Sequence, residues 1–252
     1  MPVFLSDLLS GGFVKNAFRI LVAALLMMSA TINVYAVEKD ADLKDVVTAL
    51  EKGYASLQDV QADFTQKTVI AGINREQKGN GELLLKRPGS ATAMFRFNYS
   101  KPKQQIVSNG KQVWFYITEN KQVMVSPVAD MFKGGNSIAL SYLTGLGHVS
   151  RDFNISFSPE KRDKTGNYHL ELVPKNPSPV LARLQLTVSS EAVGVFLRDG
   201  AVKDLFPVVT SVIVDAGGNR TRIDYSRVRV NKGIDSGKFN FKIPEGVEVV
   251  KP

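Results

Sequence analysis

The chain has 252 residues, of which 44% are hydrophobic and 22% are charged, and a formal net charge of +8. These values exclude a polytopic membrane protein and a disordered chain, and they allow one or two domains with a substantial core. Cysteine is absent, so the fold must be stabilised by burial without disulfide bonds. The basic residues are scattered, which favours a solvated surface over a nucleic-acid site and also suits an anionic membrane or an acidic partner.

The first 36 residues have the pattern of a secretory signal peptide. Lys15 and Arg19 precede the apolar run ILVAALLMMSA, and the small-residue sequence VYA ends at Ala36. A retained membrane anchor is the alternative, but the apolar run is shorter than the roughly 20 residues that a spanning helix needs. We therefore predict export with cleavage near Ala36, which leaves residues 37–252 as a single domain.

An amphipathic helix is predicted at the start of the exported part. Apolar residues recur there at helical spacing, namely Leu43, Val46, Val47, Leu50 and Tyr54. Asp40 or Asp42 is a suitable N-cap, and Gly53 is expected to end the helix. The apolar stripe favours a helix that packs on the core over a helix that lies on a membrane surface.

From residue 58 onward the apolar residues change to a period of two, which indicates β-strands. In the first strand Val60, Ala62 and Phe64 alternate with polar residues that include Asp59, so one face is expected to be dry and the other wet. A second strand is predicted around residues 81–85, and it ends before the proline of the sequence KRPG because proline cannot continue a strand ladder.

An aromatic meander is predicted between residues 92 and 127. Phe95, Phe97 and Tyr99 share one face of its first strand. An Asn-Gly dipeptide at 109–110 is typical of a tight hairpin turn. The run VWFYI at 113–117 follows and contains the only tryptophan, Trp114, and the run VMV at 123–125 completes the meander. A sheet face with this many aromatic residues requires a cover.

The remaining residues add a glycine-flanked apolar segment and a second group of strands. The segment 131–147 is interpreted either as a mobile lid or as a packing helix, and on the segment alone the packing helix is favoured. Alternating patterns recur in segments 153–157, 168–172 and 184–188, and further strands are predicted at 208–214, 221–230 and 238–242. About eleven strands with two helical segments predict one antiparallel sheet curled around its own apolar face.

The sequence contains no recognisable catalytic or metal-binding motif. His148 and His169 are the only histidines, and no nucleophile elbow, zinc-protease helix or phosphate-binding loop is present. The acidic residues are not paired for acid–base chemistry. An enzyme, a metal site and a cofactor are therefore not expected. A curved sheet with one dry face could hold acyl chains or could form an ordinary filled core, and periodicity does not separate the two.

One set of segments recurs in the order and spacing of a known family. The matching residues are Asp63-Phe64-Thr65-Gln66, Gly79 with Gly81-Glu82-Leu83, Lys86-Arg87-Pro88, Phe95 with Phe97, Ile106 to Tyr116, and Asp235 to Val247. Together they resemble the periplasmic outer-membrane lipoprotein carrier (LolA) family of Gram-negative bacteria.

This resemblance implies a fold that is mainly β with a few helices, an incomplete, half-open antiparallel β-barrel covered by short α-helices that form a lid. It also implies that residues 37–252 form a single lipoprotein-carrier domain, a monomer that acts in the periplasm without catalysis, cofactor or nucleic acid. The cargo would be lipoproteins, held by their acyl chains. An ATP-driven, ABC-type exporter in the inner membrane would supply them, and an acceptor on the outer membrane, or that membrane itself, would receive them.

The resemblance assigns two groups of residues. Those expected to contact acyl chains or lipoproteins are Phe64, Leu83, Leu85, Phe95, Phe97, Tyr99, Trp114 and Tyr116. The lid is expected to contain Ile138, Leu140, Leu143 and Leu146. Arg87 is expected to hold the lid closed, because a guanidinium can donate to several carbonyl oxygens at once.

Two segments are longer than the family pattern, Gly89–Met94 and Glu191–Val208. The second would bulge between two late strands or add a lip to the cavity. Three alternatives to a carrier remain open: a periplasmic lipid- or lipoprotein-sensing module with the same half-barrel, a secreted hydrolase on a β scaffold, and a purely structural envelope protein.

Overall fold

The computed structural model describes residues 40–73, 75–87, 92–131, 148–176, 179 and 181–250. The chain from Ala41 onward forms one compact unit. The predicted signal peptide and the lid candidate with Ile138, Leu140, Leu143 and Leu146 lie outside the described residues. Within the described part, no helix has both the length and the hydropathy needed to cross a membrane.

Twelve strands form one sheet in the described part of the chain, in the order β12-β6-β5-β4-β3-β2-β1-β11-β10-β9-β8-β7. Neighbouring strands are antiparallel except for β12 and β6, which are parallel. The sheet is unclosed, with β7 and β12 at its edges, so the predicted incomplete antiparallel barrel is confirmed as a fold class. The strands are β1 (Asp59–Ile70), β2 (Arg75–Lys86), β3 (Met94–Lys101), β4 (Gln104–Ser108), β5 (Gln112–Ile117), β6 (Gln122–Pro127), β7 (Phe153–Arg162), β8 (Tyr168–Pro174), β9 (Arg183–Val188), β10 (Val208–Val214), β11 (Arg220–Val230) and β12 (Glu248–Val250).

The helix predicted at the start of the exported part is confirmed as α1 (Leu43–Ala55). Asp42 is its N-cap, and the Asp42 carboxylate accepts a hydrogen bond from the backbone N–H of Asp45 at 2.8 Å. The helix does not end at Gly53 but continues for two residues. Gly53 is buried inside the last turn, where its missing side chain allows another segment to approach closely.

Four further helical segments lie within the described residues. They are α2 (Val128–Met131), α3 (Val149–Asp152), α4 (Ser190–Asp199) and the 3-10 helix Ser236–Phe239. Helix α4 occupies the first half of the predicted insertion. The Ser189 hydroxyl caps its start by accepting from Ala192 N, and Gly200 ends it with a left-handed φ of 67°, a conformation that glycine adopts without strain.

The strand predicted at 238–242 is wrong. Phe239 ends the 3-10 helix, and the residues that follow are irregular. Both phenylalanines are nevertheless used for packing. Phe239 is fully buried with Leu84 and Met94, and Phe241 packs against Trp114. The alternation of apolar residues therefore reflects two separate contacts of an irregular segment.

The two faces of the sheet are covered by different parts of the chain. We call the face that carries Phe64, Leu83 and Leu85 the core face, and the opposite face the back face. Residues of α1 and α4 pack on the core face in one large apolar cluster. The back face has two smaller clusters that involve the C-terminal segment.

Candidate functional site

Six of the residues expected to contact acyl chains lie together on the core face. Phe64, Leu83, Leu85, Phe95 and Phe97 are each no more than 5% exposed in the large apolar cluster, and Tyr99 packs against it. Strand register explains the grouping, because Leu83 pairs with Phe97 and Leu85 pairs with Phe95 across β2 and β3. Leu50 and Tyr54 of α1 belong to the same cluster, so the aromatic surface is covered by this helix.

The aromatic rings on the core face contact one another across strand β2. The ring of Phe64 lies 5.6 Å from that of Phe97 and 4.9 Å from that of Tyr99, edge to face in both pairs. This geometry is favoured by the quadrupoles of the rings. Gly81 pairs with Phe64 on one side and with Tyr99 on the other. Because Gly81 has no Cβ, the backbone of β3 can approach β2 closely at this point, where the rings of Phe64 and Tyr99 are in contact.

Trp114 and Tyr116 lie on the back face and not with the other six residues. Both rings pack against Phe241 of the C-terminal segment, at centroid distances of 6.2 and 5.6 Å. Val113 belongs to the core-face cluster, and residues that alternate with it along a strand must point the other way. The run of five apolar residues in β5 hides this facing from sequence analysis.

Arg87 fastens the end of α1 to the end of β2. Its guanidinium Nη1 donates to the backbone oxygen of Tyr54 at 2.6 Å, and its backbone N–H donates to the oxygen of Gln58 at 2.7 Å. Tyr54 lies in the last turn of the helix, where carbonyl groups lack intrahelical partners and where a positive charge is favourable. Among the described residues Arg87 therefore contacts helix α1, and its role in holding the lid closed stays a prediction.

A cleft of about 600 Å³ lies between α4, the segment after it and strands β10 and β11. We call it the α4 cleft. The predicted insertion forms one wall, and the apolar residues that line it are Ala192, Val195, Phe206, Pro207, Val208, Val209, Tyr225, Val228 and Val230. Sequence analysis missed the strand contribution because Arg227, with φ of 49°, interrupts the alternation of β11 beside a register shift.

Three tyrosines place hydroxyl groups on or near the core face. The hydroxyl of Tyr99 donates to Gln66 Oε1 at 2.8 Å, and that of Tyr225 lies 3.1 Å from Ser211 Oγ. Burial raises the pKa of Tyr99 to about 12 and also raises the pKa of Tyr54 and of Tyr225 above the ordinary value. All three hydroxyls therefore stay neutral at physiological pH. No group of His, Asp or Glu side chains in the described ranges could hold a metal ion.

Comparison with known proteins gives the family. Residues 55–242 match the model of the family described as outer membrane lipoprotein carrier protein LolA. The outer-membrane lipoprotein carrier proteins of Azotobacter vinelandii and Nitrosomonas europaea are 30% and 32% identical to this chain, over 77% and 76% of its length and 82% of theirs. A solved LolA superfamily structure from Nitrosomonas europaea aligns with 80% of this chain and 99% of that chain, at a TM-score of 0.38 and 11% identity. Because the family match covers more than half of its residues, this chain belongs to the LolA family of outer membrane lipoprotein carrier proteins.

Proposed function

We propose that this protein is a periplasmic carrier that shields the acyl chains of lipoproteins and ferries them from the inner to the outer membrane. Its membership of the LolA family supports this function, as do relatives named outer-membrane lipoprotein carrier protein. The structural observation that carries the proposal is the aromatic core face, which is covered by α1 while Arg87 holds the end of that helix.

Acyl chains need such a cover because exposing hydrocarbon to water is costly. Burial is worth roughly 0.8 kcal/mol per methylene group, so a chain of about 16 carbons gains on the order of 12 kcal/mol when it leaves water. In the closed form the rings of Phe64, Phe95 and Phe97 are buried against the protein itself. Cargo therefore binds by replacing the contacts of α1 with contacts to hydrocarbon, and the open and closed forms must differ by only a few kcal/mol.

We further propose a route for the protein and its cargo, from export to delivery. The protein is exported after removal of residues 1–36, and it acts as a monomer with residues 37–252 as one domain. An ATP-driven exporter of the inner membrane supplies the cargo, and an acceptor on the outer membrane, or that membrane itself, receives it. Residues 138–146 contribute to the lid. The protein binds and releases without a catalytic step.

The core face is tested by comparing two buried aromatic residues on opposite faces of the sheet, Phe97 in β3 and Trp114 in β5. Phe97→Asn is expected to reduce formation of a soluble complex with lipoprotein about tenfold, because an amide without a partner would be buried beside the hydrocarbon. Trp114→Asn is the matched control, since Trp114 is buried on the back face. The protein is incubated with ATP and inner-membrane vesicles that contain the exporter and a labelled lipoprotein, and the soluble one-to-one complex is quantified.

Thermal unfolding of both variants separates loss of stability from loss of binding. The core-face assignment is wrong if Trp114→Asn abolishes complex formation while Phe97→Asn does not. The carrier function itself is wrong if the unmodified protein extracts no lipoprotein from vesicles that an established carrier does empty.

Arg87 is expected to control release of the cargo. Arg87→Leu removes a charged hydrogen bond of roughly 1.5–3 kcal/mol from the closed form only, so the equilibrium shifts toward the open, loaded form. We expect uptake to persist and transfer from the purified complex to outer-membrane vesicles to slow about tenfold. Arg220→Leu, on a back-face strand position, is the control and should transfer at the normal rate. A normal transfer rate for Arg87→Leu would show that this contact does not hold the closed form.

A further inference from the structure

The α4 cleft is open in the same structure in which the aromatic core face is closed. Its floor consists of side chains of β10 and β11, and two of these remain exposed although they are apolar. Val209 and Val228 are 38% and 37% exposed. A volume of about 600 Å³ is typical of sites that bind small molecules.

The polar groups that line the α4 cleft are mostly engaged within the protein. Lys203 forms an ion pair with Asp199 at 2.5 Å. The Asp204 carboxylate accepts from the backbone N–H of Phe206 at 2.9 Å, and the Tyr225 hydroxyl is hydrogen-bonded to Ser211. The cleft therefore offers a ligand apolar surface and few free hydrogen-bonding groups. This chemistry fits a hydrocarbon chain better than a peptide or a sugar.

Phe206 connects the cleft to the closed core face. Its ring lies 5.3 Å from that of Tyr225 in the cleft and 5.4 Å from that of Tyr54 in α1. The segment around it also rests on the last turn of the helix, since a Cβ at Gly53 would lie 3.1 Å from the backbone oxygen of Asp204. Displacement of Phe206 would thus loosen the same turn of α1 that Arg87 holds.

We propose that the α4 cleft is a binding site for one fatty acyl chain of the cargo, which it holds while the aromatic core face is still closed. This inference rests on the proposed carrier function. The chain lies along Val209 and Val228 with its end against Phe206, and it leaves water before α1 has moved. The chain then displaces Phe206, which favours movement of α1 away from the core face. Binding in the α4 cleft therefore makes the aromatic core face accessible to the rest of the cargo.

A photoreactive fatty acid locates the site without any substitution. Purified protein is irradiated with palmitate that carries a terminal diazirine, and the cross-linked peptides are identified by mass spectrometry. At low probe concentration we expect cross-links to residues 189–209 and 225–230. Cross-links confined to peptides with Phe64, Phe95 or Phe97 would overturn the cleft site and leave the carrier function standing. Failure of the probe and of lipoprotein to bind at all would overturn both.

A matched pair of valines tests the cleft by substitution. Val228→Asp is expected to weaken binding of the palmitate probe about tenfold and to remove the cross-links to residues 189–209, because it places a carboxylate beside the hydrocarbon. Val173→Asp is the control, since Val173 is also a strand valine and is 42% exposed, but it does not line the cleft. Equal affinity of the two variants for the probe would overturn the proposal.

Discussion

Replacing Gly81 by alanine is expected to lower the free energy of unfolding by about 3 kcal/mol. A Cβ atom at this position would overlap the backbone oxygen of Asn98 and would lie 2.9 Å from the Cα of Tyr99. Both atoms belong to the backbone of β3, which cannot rotate aside as a side chain could. Strands β2 and β3 would have to separate, and the contact between Phe64 and Tyr99 would be lost with them. Urea denaturation of the variant measures the effect.

Gly79→Ala is the matched control for this prediction. Gly79 lies two residues away on the same face of β2, but a Cβ there would be 3.2 Å from ring atoms of Tyr99 and 3.4 Å from the backbone oxygen of Lys101. A small movement of the ring relieves the first contact, so we expect a loss of less than about 1 kcal/mol. Equal losses for the two glycines would mean that close approach of the strands is not the reason for glycine at position 81.

The core face could be predicted from the sequence where apolar and polar residues alternate strictly. Phe95, Phe97 and Tyr99 are separated by polar residues, and the structure places all three rings on the core side as the alternation predicts. The N-cap of α1 could also be predicted, because aspartate is a preferred N-cap residue and stands directly before the apolar stripe of the helix.

The facing of Trp114 and Tyr116 could not be predicted, since every residue from 113 to 117 is apolar and either face is compatible with burial. The face on which the two rings lie is determined by the residue they pack against, Phe241, which follows more than 120 residues later in the chain. The alternation at residues 238–242 predicts a strand, and a strand there does not indicate that the C-terminal segment covers the back face.

The sequence contains a local signal for helix α4. Ser189 is a good N-cap, Gly200 is a good C-terminal residue, and Ala192, Val193 and Phe196 have helical spacing. The interpretation of this segment as a bulge or a lip of the cavity assigns it no helix. The position of α4 as a wall of the α4 cleft depends on its contacts with β10 and β11. A local sequence pattern does not indicate such contacts between distant parts of the chain.

The position of Asp59 was predicted wrongly, because its alternation with Val60 and Ala62 assigned it to the wet face of β1. The residue is only 4% exposed. Its carboxylate accepts hydrogen bonds from the backbone N–H groups of Lys232 and Gly233, both at 2.9 Å, and of Ile234 at 3.3 Å. A buried carboxylate is tolerated when several donors surround it.

The loop bound by Asp59 also supports the end of α1. The side chain of Asn231 accepts from the backbone N–H of Gln58 at 2.8 Å and donates to the oxygen of Ser56 at 3.1 Å. Ser56 follows directly after α1, and Gln58 accepts the backbone hydrogen bond of Arg87. The last turn of the helix is therefore fastened by Arg87, by the segment that contains Phe206 and by the loop that Asp59 organises.

Asp59→Ala is therefore expected to lower the free energy of unfolding by about 4 kcal/mol, because it leaves three backbone N–H groups without an acceptor in a largely buried site. Asp59→Asn keeps one acceptor oxygen and should lose about half as much. Asp163→Ala is the control. Asp163 accepts from the backbone N–H groups of Thr165 and Asn167 in a turn that reaches solvent, so water can replace it at a loss of about 1 kcal/mol. Equal urea midpoints for the two alanine variants would show that burial of the Asp59 carboxylate does not hold the loop.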